Sequence, residues 1–201
     1  MTTARVGPGR PRSEHARAAI LEAAADLLVS HGLAGVTMDG VATRAGVSKA
    51  TIYRWWATKE EVALDALDTE WSHGRAVPAD TGSLRGDLLA LLLPWVRIVC
   101  SRPFAGCVAG LVSRAHSDPE FLRGYLDNFV NPRRERARIV FERAIERGEI
   151  STDAHIDVAM DLVYGALYHR LLHRHAPLSE SFAEDVIELC VRGLVSDPHV
   201  P

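Results

Sequence analysis

The segment TMDGVATRAGVSKATIYRWW, residues 37–56, decides the fold of the N-terminal part of this 201-residue chain. It contains two short helical patterns on either side of Gly46, and helices this short are not stable alone in water. Thr37 and Ser48 stand where side-chain oxygens cap helix N-termini, and Gly46 suits the left-handed residue that ends a helix. The spacing therefore predicts two short helices packed at a sharp angle, which is a helix-turn-helix arrangement.

Apolar residues of this segment predict its small core, and the remaining side chains predict its exposed face. The expected core residues are Val41, Ala42, Val47 and Ile52, with Trp56 also turned inward. Helical geometry then turns five residues of the second helix, about 48–55, outward: Lys49, Ala50, Thr51, Tyr53 and Arg54. Cationic and hydroxyl side chains of these types bind phosphates and base edges, so this helix is expected to enter the major groove of DNA.

The spacing of residues 37–59 resembles the TetR family of bacterial repressors. The matching residues are Thr37-Met38, Val41-Ala42, Ala45-Gly46-Val47-Ser48, Ile52-Tyr53, Trp56 and Lys59. The resemblance covers about residues 13–65. It implies a homodimeric transcriptional regulator, a repressor of a palindromic DNA operator, which a small molecule held in a C-terminal helical domain releases. It also implies a cytoplasmic bacterial protein that is associated with the nucleoid when it is bound to DNA.

The resemblance also implies roles for individual residues. Thr37 and Lys59 are expected to contact phosphates, and the second helix is expected to contribute Lys49, Thr51, Tyr53 and Arg54. Backbone N–H groups at a helix start also bind phosphate, which adds Ser48 to the predicted DNA-binding set. Arg44 completes this set. Many family members have His-Phe where this chain has Trp55-Trp56. Trp56 is expected to fill the core position of the Phe, while Trp55 either packs on the first helix or lies against the sugar–phosphate backbone.

Residues 1–12 are expected to form a flexible basic arm. Arg10 and Arg12 lie in the stretch GPGRPR, which either enters a minor groove, where the negative potential attracts arginine, or is a disordered solubilising tail. Residues 1–59 contain eight basic and four acidic residues, whereas residues 60–201 contain fifteen and twenty-two. Unless this asymmetry is a chance fluctuation, it favours DNA contact by the N-terminal part alone.

The chain is predicted to be all-α, with about nine helices, because no segment alternates with a period of two residues. A first helix from an N-cap at Ser13 to Gly32 opens a DNA-binding domain over residues 13–71, in which a capping box at residues 58–61 starts the connecting helix. Residues 72–83 read as a linker. The remaining domain, residues 84–201, is predicted to bind a ligand and to dimerise; its helices are expected at 84–101, 103–116, 118–147 (kinked or broken at Pro132), 153–175 and 179–195.

Aromatic and soft apolar residues of this second domain are candidate contacts for an unknown small apolar or aromatic ligand, although at helical spacing each is more often a core residue. They are Trp95, Phe104, Phe121, Tyr125, Met160, Tyr164 and Tyr168, and Phe129 belongs to the same aromatic cluster. The last two helices carry an apolar pattern, and the family resemblance implies that they pair with a second subunit. Residues 165–172 also resemble a C-terminal domain class of one large subset of TetR-like regulators.

No catalytic site, cofactor or metal centre is expected. Cys100, Cys107 and Cys190 lack the spacing of a disulfide or metal site and fit a reducing cytosol. His169 and His173 lie one helical turn apart near His175, but two ligands on one helix do not make a metal site. No signal peptide or membrane span is expected. The alternatives are a constitutive DNA-binding protein without a ligand, a metal-binding helical enzyme and a helical interaction protein that does not depend on DNA.

Overall fold

The computed structural model describes residues 10–71, 77–101 and 104–194, and every regular element in these ranges is helical. The all-α prediction is confirmed. The chain divides into two compact units, residues 1–70 and 71–201. The boundary falls at the end of the fourth helix, next to the linker that the sequence predicts.

The N-terminal unit begins with a helix whose start differs from the prediction. This helix includes Arg10, whereas the sequence placed its cap at Ser13. Pro11 is tolerated in a first turn, since an N–H there has no partner within the helix. Residues 10–12 are therefore helical rather than part of an extended arm, and residues 1–9 lie outside the described ranges. The helices of the unit are α1 (Arg10–Gly35), α2 (Met38–Ala45), α3 (Lys49–Tyr53) and α4 (Lys59–Trp71).

Helix α1 forms one wall of the core of this unit. Gly32 interrupts the helix with φ 66°, at the position where the sequence predicts the helix to end. From Ser13 to Gly35 the helix is long and apolar enough to cross a membrane by composition alone. Six of its apolar residues are buried in the core of this unit: Ile20, Leu21, Ala23, Ala24, Ala25 and Leu28. The fully buried residues of the unit include Ile20, Ala24, Leu28, Val41, Ile52, Val62 and Ala66.

The C-terminal unit packs four helices around its main core. The elements of the unit are α5 (Leu84–Ser101), α6 (Phe104–Ser117), α7 (Pro119–Tyr125), a π turn (Leu126–Val130), α8 (Asn131–Glu146), α9 (Ile156–His173) and α10 (Glu180–Leu194). The core residues of α5 include Leu88 and Val96, and those of α8 include Val140 and Phe141. Met160 of α9 and Ile187 of α10 complete this core, and all six are almost completely buried. If α7, the π turn and α8 are counted as one continuous helix, the described ranges contain nine helices, as predicted.

Pro132 explains the π turn. Proline has no N–H to donate to the carbonyl four residues back, and its ring clashes with that carbonyl in a regular helix. The chain widens ahead of Pro132, so that the N–H of Asn131 donates to the carbonyl of Leu126, five residues back. The interruption that the sequence predicts at Pro132 therefore takes the form of a local widening.

A buried carboxylate fixes the start of α5. Asp87 has no exposed surface, and its Oδ1 accepts from the backbone N of Thr81 at 2.6 Å and from Thr81 Oγ1 at 2.7 Å. Its Oδ2 accepts from Arg147 Nη2 at 3.1 Å. Burial alone would raise the pKa of this carboxyl, but the bonds from Thr81 and the charge of Arg147 outweigh it and hold the pKa below its ordinary value. Arg147 also contacts Asp80 and Glu149, which ties the start of α5 to the chain that follows α8.

Candidate DNA-binding surface and ligand cavity

The caps of the two short helices are formed as the sequence predicts. Thr37 Oγ1 accepts from the N–H of Gly40 at 3.0 Å, and Ser48 Oγ accepts from the N–H of Thr51 at 3.3 Å. Gly46 ends α2 with φ 65°, and the following N–H, of Val47, returns to the carbonyl of Ala42 at 3.0 Å. Residues that have a side chain adopt this left-handed backbone conformation only with strain, so glycine is the favoured residue at the turn between α2 and α3.

Two residues anchor α3 in the unit. Ile52 has no exposed surface and Trp56 is 4% exposed, which confirms their predicted inward positions. Trp56 Nε1 donates to Asp65 Oδ2 at 2.9 Å, and Arg17 Nη2 reaches the same oxygen at 2.9 Å. This carboxylate thus joins α1, α4 and the chain after α3.

The exposed face of α3 carries three of the predicted DNA-binding side chains. Tyr53 is 54% exposed. Arg54 is exposed as well, and its guanidinium carbon lies 5.4 Å from the ring centroid of Trp55. Lys49 Nζ lies 2.9 Å from Asp39 Oδ1 on α2, and the hydrogen bond and charge of Asp39 raise the pKa of Lys49. A phosphate that binds Lys49 therefore has to displace or share Asp39.

Two other predicted DNA contacts are held by partners within the unit. Arg44 donates to Asp26 Oδ2 on α1 from Nε at 3.0 Å and from Nη2 at 2.6 Å. Thr51 is half-buried, and its Oγ1 lies 3.0 Å from Ser48 Oγ, so it faces outward less than predicted. The sequence analysis missed these acidic partners, because Asp26 and Asp39 lie on helices other than those of the cations that they bind.

The remaining predicted DNA contacts lie at the edges of the unit. Thr37 is exposed at the start of α2, and Lys59 begins α4, where its Nζ donates to the carbonyl of Leu33 at 3.3 Å. The side chains of Arg10 and Arg12 lie outside the described part of the chain, so their minor-groove contact stays a prediction. Trp55 is half-buried against Trp56, with ring centroids 5.7 Å apart and planes at 57°.

A cavity of about 170 Å³ in the C-terminal unit brings together three of the predicted ligand contacts, Tyr125, Tyr164 and Tyr168. Trp95 does not line this cavity but stacks on Tyr168, with ring centroids 5.5 Å apart and planes at 18°. Phe129, a member of the same aromatic cluster in the sequence, also lines the cavity. The sequence analysis did not include the other lining residues, which are Val130, Arg133 and Arg134. The only sequence signal for the two arginines is their place directly after Pro132, at the start of α8.

The other predicted ligand contacts lie elsewhere. Met160 has no exposed surface and belongs to the main core, and Phe121 is 7% exposed at the start of α7. Neither residue lines the cavity, because helical packing turns both side chains into the protein interior. The side chain of Phe104 lies outside the described part of the chain.

The histidines and cysteines do not form a recognisable metal site. The ring centroid of His169 lies 4.6 Å from that of His173 and 4.8 Å from that of His175. Within the described ranges, no three or more His, Cys, Asp or Glu residues are grouped in a way that could hold a metal ion. Cys100 lies on α5 and donates to the carbonyl of Leu178 at 3.0 Å, while Cys107 is buried on α6.

Comparison with known protein families identifies both units. A family profile described as bacterial regulatory proteins of the tetR family matches residues 20–66. A second profile, described as a tetracyclin repressor-like C-terminal domain, matches residues 78–190. The chain belongs to the TetR family of transcriptional regulators. The helix-turn-helix of α2 and α3 is thus the DNA-binding element of a TetR-family regulator, and the resemblance seen in the sequence is confirmed.

Individual relatives extend this TetR-family assignment over almost the whole chain. The uncharacterized HTH-type transcriptional regulator YdeS of Bacillus subtilis is 36% identical over 92% of this chain and 93% of its own. The DNA-binding transcriptional repressor TetR of Mycobacteroides abscessus is 30% identical over 90% of this chain and 96% of its own. The crystal structure of TetR family transcription regulator SCO0332 is 32% identical, with a TM-score of 0.79 over 90% of this chain and 100% of its own.

Proposed function

We propose that this TetR-family protein is a homodimeric repressor that binds a palindromic operator and is released by a small molecule bound in its C-terminal unit. The observation that carries the proposal is the exposed face of α3, where Tyr53 and Arg54 project from a helix that Ile52 and Trp56 anchor. In the cell, we place it in the bacterial cytoplasm, and on the nucleoid when it is bound to DNA.

Each subunit of the proposed dimer inserts α3 into a major groove. Arg54 and Lys49 reach guanine acceptors or phosphates, and Tyr53 reaches a phosphate oxygen. Thr37, Arg44, Ser48, Thr51 and Lys59 lie around α3 and contribute phosphate or base contacts. A two-fold dimer then reads two half-sites whose centres are about 34–36 Å apart, one helical turn of DNA.

The apolar surface of the last two helices supports the proposed dimer. Three large apolar side chains are well exposed there: Val158 (56%) and Leu162 (64%) on α9, and Leu189 (69%) on α10. They line one surface groove together with Cys190 and Leu194. Exposed apolar groups that cluster in this way indicate a protein interface. Two glycines lie on the same helices, Gly165 and Gly193, and a Cβ added at either meets no atom within 4 Å, which leaves room for a partner helix.

Release follows from a two-state equilibrium of the dimer. A ligand that binds more tightly to a dimer whose recognition helices have the wrong spacing shifts the population away from the DNA-binding state. The size of that shift is limited by the difference in ligand affinity between the two states.

Selection of bound sequences from a random DNA pool, performed at two salt concentrations, tests the proposed DNA recognition. We expect enrichment of an inverted repeat that persists as the salt concentration rises. If the recovered DNA sequences share no motif and binding disappears at the higher salt concentration, the protein is attracted only to phosphates. This result would favour a DNA-independent interaction protein. If an operator is found but its affinity is unchanged by any compound of a broad metabolite panel, the protein is a constitutive DNA-binding protein.

The substitution Leu162→Arg tests the proposed dimer surface. A buried charge opposes association, so we expect a monomer in sedimentation experiments and a loss of cooperative operator binding. Leu122→Arg is the matched control, because Leu122 is an exposed leucine (37%) on α7 outside the proposed interface. A dimer that survives Leu162→Arg unchanged would place the subunit interface elsewhere.

A further inference from the structure

The cavity beside the π turn has the size of one aromatic ring with a substituent. Its volume is about 170 Å³, and an apolar cavity of about 150 Å³ in another protein is known to bind benzene. Two of its lining residues, Phe129 and Val130, belong to the π turn, and such turns often occur at functional sites. The widened backbone ahead of Pro132 therefore contributes directly to the wall of the cavity.

The walls of the cavity are stacked aromatic rings. Tyr125 and Phe129 have ring centroids 5.2 Å apart with planes at 22°. Tyr168, which also lines the cavity, is stacked on Trp95, which does not line it. Parallel aromatic surfaces favour a flat, unsaturated ring over a puckered aliphatic one.

The polar side chains among the described lining residues are three tyrosines and two arginines, with no carboxylate among them. Burial raises the pKa of Tyr125, of Tyr168 and of Tyr164, the last to about 12, so all three phenols are neutral donors at cellular pH. The positive charge of Arg133, which lines the same cavity, lowers all three pKa values and partly offsets the effect of burial.

Both lining arginines also have partners within the unit. Arg134 is paired across to α9, with Asp161 and with Asp157 at 3.0 Å. Arg133 lies over the ring of Phe129, 3.7 Å from its centroid, and donates to the carbonyl of the same residue. Arg133 is one of the lining residues, and a planar guanidinium matches a carboxylate in geometry.

We propose that this cavity binds a single-ring aromatic acid, with its ring between the tyrosines and its carboxylate at Arg133. The proposal rests on the ligand-released repressor proposed above and names the chemical class of its ligand. Tyr164 and Tyr168 belong to α9, which also carries the exposed Val158 and Leu162 of the proposed dimer surface. A ring that enters between α7 and α9 therefore acts on the helix that sets the spacing of the dimer.

Titration calorimetry of the full-length protein with three small probes tests the ligand class. The probes are benzoate, benzamide, which has a ring but no charge, and cyclohexanecarboxylate, which has the charge but no aromatic ring. We expect benzoate to bind with a Kd of about 1 mM or lower, and at least about tenfold more tightly than either of the others. Equal affinity for benzamide or for cyclohexanecarboxylate would overturn the proposal, as would the absence of benzoate binding.

Arg133→Met tests the assigned carboxylate contact. We expect it to weaken benzoate binding about tenfold or more and to leave the weaker binding of benzamide unchanged. Arg123→Met is the matched control, because Arg123 is an exposed arginine on α7 that does not line the cavity. If Arg133→Met loses helical circular dichroism, Tyr168→Leu replaces it, and its loss of affinity should be similar for benzoate and benzamide.

Operator binding without any ligand separates this proposal from the proposed repressor function. If the random-pool selection yields an operator and no probe binds, the aromatic-acid site is wrong while the repressor stands. If benzoate binds as expected and no operator is selected, the site is real and its regulatory role fails.

Discussion

The two units of the protein place tyrosine and arginine in opposite environments. At the end of α3, Tyr53 is 54% exposed, and the next residue, Arg54, is exposed as well, with its guanidinium carbon 5.4 Å from the ring centroid of Trp55. In the C-terminal unit, Tyr125 is 7% exposed, and Arg133 is stacked on Phe129 next to a cavity. The same two residue types thus lie on an open surface in one unit and around a partly enclosed pocket in the other.

This difference in exposure indicates which kind of binding partner suits each unit. An exposed cation remains hydrated and binds a large, charged partner such as DNA, with an affinity that falls as salt rises. A partly enclosed cation next to neutral phenols suits a small ligand, because little water competes for the site and few orientations fit. Substitutions at the surface should accordingly change binding, whereas substitutions at the buried polar groups should change stability.

The largest effect is expected for the double substitution Tyr53→Ala and Arg54→Ala. Removing the proposed base contact of Arg54 and the proposed phosphate contact of Tyr53 should weaken operator binding about 100-fold, or roughly 3 kcal/mol. The thermal unfolding midpoint should stay unchanged, since neither side chain is buried. Gel-shift titrations and melting curves measure both, with Arg123→Ala as the control. A double variant with a lower unfolding midpoint and an unchanged DNA affinity would show that these two side chains serve stability rather than binding.

A smaller effect, on stability, is expected for Asp87→Ala in the C-terminal unit. The substitution removes the buried carboxylate that accepts two hydrogen bonds from Thr81 and one from Arg147. It should lower the free energy of unfolding by about 2 kcal/mol. Chemical denaturation measures this loss, and Glu120→Ala, which removes an exposed carboxylate from a first helical turn, is the control. Unchanged stability would mean that the Thr81–Arg147 network does not hold the start of α5.

The same carboxylate predicts a dependence of stability on pH. The pKa of Asp87 is lower in the folded state than the ordinary value of about 3.9, so the folded state binds its proton more weakly than the unfolded state. The contribution of Asp87 to the free energy of unfolding is therefore complete when the pH is above the ordinary pKa. It is lost as the pH falls through the lowered pKa of the folded state. The difference in unfolding free energy between wild type and Asp87→Ala should therefore shrink below about pH 4. A difference that is constant down to the acid limit would contradict this assignment.

Gly46→Ala should have a moderate effect on the N-terminal unit. A Cβ at this position meets no atom within 4 Å, so the cost comes only from φ 65° and should be about 1 kcal/mol. Gly106→Ala is the matched control, since Gly106 lies in α6 without a positive φ and has equally open surroundings. There alanine should slightly stabilise the helix. Equal effects at both positions would show that φ does not matter.

The smallest effect, a gain, is expected for Arg174→Gly. Arg174 ends α9 in the same left-handed region, with φ 54°, where the N-terminal unit has glycine. Glycine relieves this strain but loses more backbone entropy on folding, so the net gain should be about 0.5 kcal/mol. Denaturation curves of the single variant measure this gain. A destabilised variant would point to a specific role for the arginine side chain at this cap.

The sequence by itself determined the helix-turn-helix, because its signals are local. The caps at Thr37 and Ser48, the turn at Gly46 and the inward positions of Ile52 and Trp56 each follow from residues a few positions apart. The helix break near Pro132 is local in the same sense, since proline acts on the carbonyl four residues before it. The family resemblance rests on this same short segment.

Contacts between residues of different helices could not be predicted from the sequence and became visible in the tertiary structure. The pair of Arg44 and Asp26 joins two helices, and Asp87 is bound by Arg147, which is 60 residues away in the chain. On α9, Met160 lies in the main core whereas Tyr164 lines the cavity. Helical periodicity defines the face on which a side chain lies, but not the neighbour that covers that face. The packing of the helices determines which apolar face lies in the core and which lines a pocket. Packing depends on the whole fold and not on residues that are near in sequence.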